Sequence, residues 1–189
     1  MIAPGSSFHA VGYSLDFETI YRAHHDFVWR TLRRMGVSER DAMDAAQKVF
    51  LVAHRSLPAF EGRSTLKTWL CGIALRVASD YRRSAVSRRE VLVADVPTGA
   101  TCQADQLRRL EEQERVAELD AILSELPDEQ RTVFVLFELE ELSGEQIAEL
   151  LAVPEGTVRS RLRLARRAFS KLLAERQARS VGLVVGGHL

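Results

Sequence analysis

The chain has 189 residues, of which 46% are hydrophobic, 28% charged and 7% aromatic, a composition typical of one or two small globular domains. Its net charge of zero hides a segregation, because residues 1–90 carry +5, residues 91–155 carry −12 and residues 156–189 carry +7. Two basic segments around an acidic one favour a polyanionic partner such as nucleic acid. The sequence has neither a secretory signal nor an apolar run of the ~20 residues that would span a membrane, which excludes secreted and membrane-spanning classes. Two cysteines are too few for a disulfide framework. We therefore expect a cytoplasmic protein.

The N-terminal part is predicted to be a three-helix lobe. Residues 1–15 are irregular and are interpreted as a loose N-terminus, and helical periodicity covers residues 16–84. Gly36 is placed to end the first helix, Ser38 to cap the second, and the third is predicted to start near Ser64.

The second and third predicted helices carry regular apolar stripes. Within the second, three apolar residues, Phe50, Leu51 and Val52, are consecutive, so at least one must face outward, which indicates a protein partner. Trp69 lies on the stripe of the third helix and is expected to pack inward. The residues predicted to be buried in the second helix are Ala42, Ala45, Ala46, Val49, Phe50 and Ala53.

The C-terminal half is predicted to be a second helical domain. Residues 85–106 lack a sustained period and are interpreted as a flexible linker, residues 107–175 are helical with a new helix after Pro127, and residues 176–189 form a tail. No strand-like alternation is present. The predicted fold class is therefore all-α, with two small helical domains joined by a flexible linker.

A helix-turn-helix pattern covers residues 143–169. Ser143 and Gln146 fit a capping box, and residues 152–156 form a tight turn before a longer helix. One face of that helix is apolar and the other carries arginines, an arrangement that suits entry into a DNA major groove. The alternative is a merely solvated basic face. The polar face comprises Arg159, Ser160, Arg163, Arg166 and Arg167, and the apolar face Val158, Leu162, Ala165, Phe169 and Leu172.

The third predicted helix also combines basic and aromatic residues. Such mixtures suit unstacked bases and the phosphates of single-stranded nucleic acid. The residues concerned are Arg63, Lys67, Trp69, Arg76, Arg82 and Arg83.

These motifs together resemble a bacterial RNA polymerase sigma factor. Asp44-x-x-Gln47-x-x-Phe50, Phe60-x-Gly62, Thr68-Trp69-Leu70-x-x-Ile73-Ala74 and Asp80-Tyr81-x-Arg83 are similar to sigma region 2. Leu126-Pro127-x-x-Gln130-Arg131, Ile147-Ala148 and Gly156-Thr157-Val158-Arg159-Ser160-Arg161-Leu162-x-x-Ala165-Arg166 are similar to region 4. With only a linker between them, the chain resembles the extracytoplasmic-function (ECF) group.

The resemblance implies three binding surfaces. Region 2 is expected to bind the clamp helices of the polymerase β′ subunit through Asp44, Gln47, Phe50 and Leu51. It is also expected to hold the unpaired −10 strand through Phe60, Arg63, Ser64, Lys67, Arg76 and Arg83. Region 4 is expected to contact the β flap and to read the −35 element through Thr157, Arg159, Ser160, Arg163, Arg166 and Arg167.

The resemblance also implies binding partners, and the chain departs from the family pattern at one position. Core RNA polymerase, promoter DNA and an anti-sigma factor are the expected partners, with no catalytic residue, metal, cofactor or membrane insertion. Arg76 stands where the family commonly has asparagine, so the resemblance carries over no −10 sequence preference. A redox role is left open for Cys71 and for Cys102, of which Cys102 in the predicted linker is the more exposed candidate.

Two competing hypotheses remain. A stand-alone helix-turn-helix regulator that binds duplex DNA as a dimer explains residues 143–169 but not the Asp44, Gln47 and Phe50 set. An enzyme is disfavoured, because no nucleophile elbow or phosphate-binding glycine loop is present. His24 is interpreted as a packing residue. The histidines lack metal-ligand spacing and are His9, His24, His25, His54 and His188.

Overall fold

The computed structural model describes residues 16–88 and 105–185, and within these ranges it contains helices and turns but no strand. The predicted all-α class is therefore confirmed. The helices are α1 (Phe17–Arg34), α2 (Glu39–Ser56), α3 (Leu66–Arg88), α4 (Asp105–Glu125), α5 (Asp128–Phe134), α6 (Gly144–Leu151) and α7 (Glu155–Val185), with a 3₁₀ turn at Leu57–Ala59 and a π-helical segment at Val135–Leu139. We call α1–α3 the N-terminal lobe and α4–α7 the C-terminal lobe.

Local capping explains where the helices of the N-terminal lobe begin and end. Helix α1 is followed by Gly36 at φ +91°, a left-handed conformation that favours glycine. The Ser38 hydroxyl accepts the Asp41 N–H at 3.2 Å, which confirms the predicted cap of α2. Helix α3 starts at Leu66 rather than near Ser64, because the Thr65 hydroxyl accepts the Thr68 N–H at 3.1 Å and so occupies the capping position.

The small side chains of α2 form the centre of the N-terminal core. All six residues predicted to be buried in this helix are at most 3% exposed. Leu51 and Val52 are 58% and 42% exposed, which confirms that part of the apolar triple faces outward. Alanines at the centre of the stripe let α1 and α3 approach α2 closely, so the lobe is a tightly packed three-helix unit.

In the C-terminal lobe, Arg131 holds the end of α4 against α5. Its Nε donates to the Leu123 carbonyl at 2.6 Å, and its Nη2 donates to the Ser124 and Leu126 carbonyls, each at 2.9 Å. These carbonyls lie in the last turn of α4 and just beyond it, where a helix leaves its acceptors unsatisfied. Burial lowers the pKa of Arg131, and the Asp128 carboxylate opposes that effect.

The connection from α5 to α6 is irregular. After the π-helical segment, Glu140 donates its N–H to the Val135 carbonyl at 3.0 Å, and Glu141 adopts a left-handed φ of +59°. Helix α6 then begins with the predicted capping box, in which Ser143 and Gln146 each accept the other's backbone N–H. The positive φ of Glu141 is uncommon for a residue other than glycine and marks a strained reversal of the chain before α6.

The helix ends differ from the predicted segment boundaries. Helix α3 runs to Arg88, into the predicted linker, and α7 runs to Val185, through most of the segment interpreted as a tail. No proline interrupts either extension, so nothing local stops the helix. The predicted loose N-terminus at 1–15, the linker residues 89–104 and the last residues 186–189 lie outside the described residues.

The two lobes pack against each other and share one continuous apolar core. Gly72 of α3 lies against Leu150 of α6, so that a Cβ at this position would approach the Leu150 Cδ2 to 2.9 Å. Arg82 Nε of α3 lies 3.2 Å from the Asp128 Oδ2 of α5. The sequence predicts two lobes but does not predict this contact between them.

Candidate nucleic-acid and polymerase interfaces

The predicted −35 residues lie on the outer face of the first turns of α7. Val158, Leu162 and Ala165 are buried against the lobe, which turns the arginines of the same helix toward solvent. Helix α7 begins after the turn at Ala152, which has a left-handed φ of +52°. Thr157 is half-buried in the first turn, and Ser160 donates its hydroxyl proton to the Thr157 carbonyl at 2.9 Å. The predicted arrangement of an apolar and a basic face is therefore present.

The α7 arginines differ in how far they are engaged. Arg159 Nη2 lies 3.0 Å from Glu155 Oε1 within the helix. Arg166 Nε lies 2.6 Å from Glu138 Oε1, and its guanidinium lies over the Phe137 ring at 5.3 Å. Within the described residues, Arg163 and Arg167 are exposed and have no hydrogen-bond or ion-pair partner. Both are therefore positioned to bind an anionic ligand.

The predicted polymerase-binding residues surround an apolar groove on the N-terminal lobe. The groove has a volume of about 460 Å³. Leu51 and Gln47 line it, and Asp44 is exposed one helical turn before Gln47. Phe50 is only 3% exposed and packs edge-on against Tyr21 at 4.8 Å, so it forms the floor of the groove rather than its rim. The groove residues are Phe17, Tyr21, Gln47, Phe50, Leu51 and His54.

The predicted −10 surface begins at Phe60, whose ring contacts Trp69. Phe60 follows the 3₁₀ turn, and its ring lies 5.0 Å from the Trp69 ring. Trp69 is half-buried, so it packs inward as expected and also contacts a residue predicted to bind DNA. Arg63 is paired with Glu61, and the Ser64 hydroxyl donates to the Thr65 carbonyl at 3.4 Å.

Lys67, a further predicted −10 residue, contacts the C-terminal lobe. Its Nζ lies 3.4 Å from Glu140 Oε2 and 5.0 Å from the centre of the Phe27 ring. The same Glu140 carboxylate accepts the Thr31 hydroxyl at 3.0 Å and lies 3.6 Å from Arg34 Nη1. The Glu140 side chain is 3% exposed, and its cationic and hydroxyl partners all belong to the N-terminal lobe.

Arg76 and Arg83 line a cleft of about 510 Å³ between the lobes. Both side chains are exposed, and Arg83 is paired with Asp80. The opposite wall of the cleft consists of residues from α5, α6 and α7, including Asp128, Leu150 and Arg161. The structure therefore places three predicted −10 residues, Lys67 among them, next to the C-terminal lobe.

Much of the acidic charge of the middle segment is paired within the chain. Glu125 binds Arg176 at 2.6 Å and Glu129 binds Arg161 at 2.7 Å, which ties α4 and α5 to α7. Glu140 pairs with cations of the N-terminal lobe. The opposed charges of the three sequence segments thus contribute to the association of the helices, in addition to any role with a partner.

Two titratable residues singled out in the sequence are withdrawn from solvent, His24 in part and Cys71 fully. His24 is half-buried beside Phe27, and burial, with a smaller effect of Lys67, lowers its pKa. Burial, together with the nearby Glu140, raises the pKa of the Cys71 thiol to about 12. A thiol with such a pKa stays protonated at neutral pH, which argues against redox sensing at Cys71. Cys102 lies outside the described residues.

Within residues 16–88 and 105–185, no group of His, Cys, Asp and Glu side chains is arranged to hold a metal ion. In the same ranges no helix has the length and apolar character needed to cross a membrane.

Sequence reasoning missed the polar residues that join the lobes. Thr31 lies among apolar residues of α1 and carries no sign of a polar partner 109 positions away. Glu140 adjoins a second glutamate after an apolar run, so it is indistinguishable in sequence from a surface acid. Arg131, part of the region 4 motif, had no predicted role, and its guanidinium lies against Gly36 of the N-terminal lobe.

Family comparisons match both lobes. The family model for Sigma-70 region 2 matches residues 20–88, and the model for Sigma-70, region 4, matches residues 116–169. The first range covers most of α1 and all of α2 and α3, and the second runs from within α4 to the middle of α7.

Curated relatives and solved structures agree with these matches. The chain is 30% identical over 165 residues to the ECF RNA polymerase sigma factor SigM of Mycobacterium tuberculosis, covering 87% of this chain and 81% of the relative. It is 37% identical over 141 residues to the ECF RNA polymerase sigma-E factor of Haemophilus influenzae, covering 69% and 73%. The fold is similar to that of the sigma factor RpoE solved in complex with the anti-sigma factor NepR from Bartonella quintana, with a TM-score of 0.66, 21% identity and coverage of 84% and 97%. The chain therefore belongs to the ECF family of RNA polymerase sigma factors.

Proposed function

We propose that this sigma factor binds core RNA polymerase through the α2 groove, reads the −35 element with α7 and holds the −10 strand with the N-terminal lobe. The observation that carries the proposal is the outer face of α7, where Arg163 and Arg167 are exposed and have no ion-pair partner among residues 16–88 and 105–185. Arginine in this setting binds phosphates or the guanine edge in the major groove.

The polymerase-binding part of the proposal rests on the α2 surface. Leu51 is 58% exposed at the rim of an apolar groove, with the acidic Asp44 and the amide of Gln47 on the same helix. Exposed apolar side chains bordered by polar ones are typical of protein interfaces. Phe50 supports this surface from beneath.

The −10 part of the proposal rests on the pair of rings at Phe60 and Trp69 and on the cations near them. Arg63 follows Phe60 closely, and Lys67 begins α3. Aromatic rings stack on unpaired bases while the cations bind the backbone. The contact of Lys67 with Glu140 must be broken before this cation can bind DNA.

The stand-alone regulator is not favoured. It accounts for α6 and α7 but leaves the region 2 match over residues 20–88 without a function. The regulator hypothesis also gives the exposed Leu51 no partner.

The proposal extends to cellular location and regulation. We propose a cytoplasmic, non-catalytic protein, because its work is to place polymerase on promoter DNA rather than to transform a substrate. An anti-sigma factor is a further proposed partner, and the solved RpoE, which has a similar fold, was captured with one. The β flap is the proposed polymerase contact of the C-terminal lobe.

The test is transcription in vitro with bacterial core polymerase and a pooled promoter library, followed by sequencing of the RNA starts. We expect specific starts only when both this chain and core polymerase are present. Asp44→Arg should abolish them, because it reverses a charge on the proposed polymerase surface. Operator binding by the chain alone, with no specific starts, would instead identify a stand-alone regulator.

A further inference from the structure

One large apolar side chain lies on the solvent-facing side of α7. Leu164 is 48% exposed, and within the described part of the chain it does not belong to the apolar core. Single leucines are common on protein surfaces and need no functional explanation. Leu164 is different because it lies among the side chains that we propose to face the −35 element.

Helical geometry places Leu164 beside two residues of that face. At about 3.6 residues per turn, its direction differs by about 40° from that of Ser160 and by about 60° from that of Arg167. Both neighbours are exposed, and so is the preceding Arg163. These side chains therefore form one continuous surface, which we call the Leu164 patch. The patch comprises Ser160, Arg163, Leu164 and Arg167.

The length of the Leu164 patch fits a DNA major groove. From Ser160 to Arg167 the helix rises roughly 10 Å, and the major groove of B-DNA is about 12 Å wide. A helix that directs Arg163 and Arg167 into the groove therefore brings Leu164 to the base edges with them. The arginines can bind guanine edges or phosphates, whereas the leucine can do neither.

The polar groups next to Leu164 are already engaged within the chain. Ser160 donates its hydroxyl proton to the Thr157 carbonyl at 2.9 Å. Arg161, three positions before Leu164 and thus its neighbour on the helix surface, has its Nη2 2.7 Å from Glu129 Oε2. The surface that Leu164 presents between these two residues is therefore apolar.

An apolar contact in the major groove recognises a methyl group. Thymine carries a C5-methyl group at this edge, and apolar side chains contact it there. 5-Methylcytosine carries the same group, whereas uracil and cytosine carry only hydrogen at C5. Because burial of a methyl group against leucine removes apolar surface from water, such a contact favours the methylated pyrimidine.

We propose that Leu164 is a specificity-determining residue that reads the C5-methyl group of a pyrimidine in the −35 element. The inference rests on the proposed function, since it concerns the face of α7 that we assign to that element. It adds a preference for one chemical group, and it gives the chain a response to cytosine methylation where 5-methylcytosine occupies the same position.

The duplex for the test is obtained without assuming a promoter. The full chain selects short duplexes from a random pool at low salt, and each thymine of the selected sequence is then replaced by uracil, which removes only the C5-methyl group. Fluorescence anisotropy gives the dissociation constant of each duplex for wild type, Leu164→Ala and Val116→Ala. Val116 of α4 is 42% exposed, so its variant is the matched control for loss of an exposed apolar side chain.

We expect one position at which uracil weakens binding by wild type about fourfold, the effect of removing one methyl group from an apolar contact. At that position Leu164→Ala, which keeps a good helix former, should bind thymine and uracil almost equally. Val116→Ala should discriminate as wild type does, and Leu164→Met should retain most of the discrimination because its side chain is also apolar. Equal thymine-to-uracil ratios for wild type and Leu164→Ala at every position would overturn the readout.

A second series identifies the source of the methyl group. At the position that Leu164 reads, the base pair is replaced by one with cytosine and by one with 5-methylcytosine. If wild type, but not Leu164→Ala, binds 5-methylcytosine more tightly than cytosine, the chain reads either methylated pyrimidine, and equal binding assigns the readout to thymine. A selected sequence without thymine, or no selection at all, would contradict the readout. Absence of specific starts with core polymerase would reject the proposed function, while the uracil series would still decide the role of Leu164.

Discussion

The two proposed DNA surfaces of this chain differ in how they are presented. On α7, Arg163 and Arg167 point to solvent from a helix whose opposite face is packed into the lobe. In the N-terminal lobe, Lys67 is bound to Glu140, and Arg76 lines a cleft closed on one side by the C-terminal lobe. A basic surface in the sequence is therefore not equivalent to an available one.

The difference arises from the acidic middle segment. Its carboxylates pair with α7 through Glu129 and Glu138, and with the N-terminal lobe through Glu140. The pairs with α7 involve Arg161 and Arg166, and none of them involves Arg163 in the part of the chain that the structure describes. The same excess of negative charge thus leaves one DNA surface available and covers part of the other.

The largest effect on binding is expected from a substitution in α7, the exposed one of the two proposed DNA surfaces. Arg163→Glu should weaken binding to a −35 duplex about 10- to 100-fold, because one arginine contact to DNA contributes about 1–3 kcal/mol and the new charge repels phosphate. Electrophoretic mobility shift with a mapped promoter measures this. Lys171→Glu, two turns further along the helix, is the control for net charge and should bind nearly as wild type. Equal losses in both variants would reject specific recognition by α7.

A smaller effect is expected at the α2 groove. Leu51→Asp should weaken binding to core polymerase about tenfold, because burying a leucine contributes about 1.5–3 kcal/mol. Surface plasmon resonance with immobilised core polymerase gives the affinity. Val52→Asp is the matched control, since Val52 is also exposed but does not line the groove. A loss in the control as large as in Leu51→Asp would show that the groove is not the contact.

Between the lobes, Asp120 of α4 offers a test of stability against pH. Its Oδ1 is buried with no hydrogen-bond partner among the described residues. Burial raises its pKa above the ordinary 3.8, although Arg33 and Arg34 oppose the effect. Asp120→Asn should therefore raise the free energy of unfolding at neutral pH by about 1 kcal/mol, because it removes an unsatisfied buried charge.

The sign of the pH dependence follows from the raised pKa. Folded Asp120 binds its proton more tightly than the unfolded chain does, so its contribution to stability grows as pH falls toward 3.8 and is lost as pH rises through the folded pKa. The gain in the free energy of unfolding from Asp120→Asn should therefore shrink as pH falls over that window. Denaturant titrations at several pH values measure it, with the exposed Glu118→Gln as control. An advantage independent of pH would contradict the assignment.

The smallest effect on function is expected at Cys71. In a Cys102→Ser variant at pH 8, the thiolate fraction of a group with a pKa of about 12 is about a thousandfold below that of an ordinary thiol with a pKa of 9.0. Folded protein should therefore react with a disulfide reagent far more slowly than denatured protein. Transcription by this variant should be insensitive to mild oxidant. Rapid labelling of the folded chain would show that the thiol is accessible.

The features predicted correctly from the sequence are those that depend on residues close together along the chain. The Ser38 cap, the Ser143 capping box, the α2 core and the two faces of α7 follow from short spacings, and all are present. The closed arrangement of the lobes was not predictable in this way. Thr31 and Glu140 meet across 109 positions, and neither residue type marks a buried contact. The contact depends on the π-helical segment, whose sequence has no distinctive local pattern.

The most direct test compares the two DNA surfaces in the free chain. A duplex −35 probe and a single-stranded −10 probe, both taken from one promoter mapped with holoenzyme, are titrated by fluorescence anisotropy without core polymerase. We expect wild type to bind the duplex about tenfold more tightly than the strand, and we expect Gly72→Leu, whose side chain would collide with Leu150 of α6, to improve binding of the strand alone. Equal binding of both probes by wild type, with no gain in Gly72→Leu, would contradict this expectation.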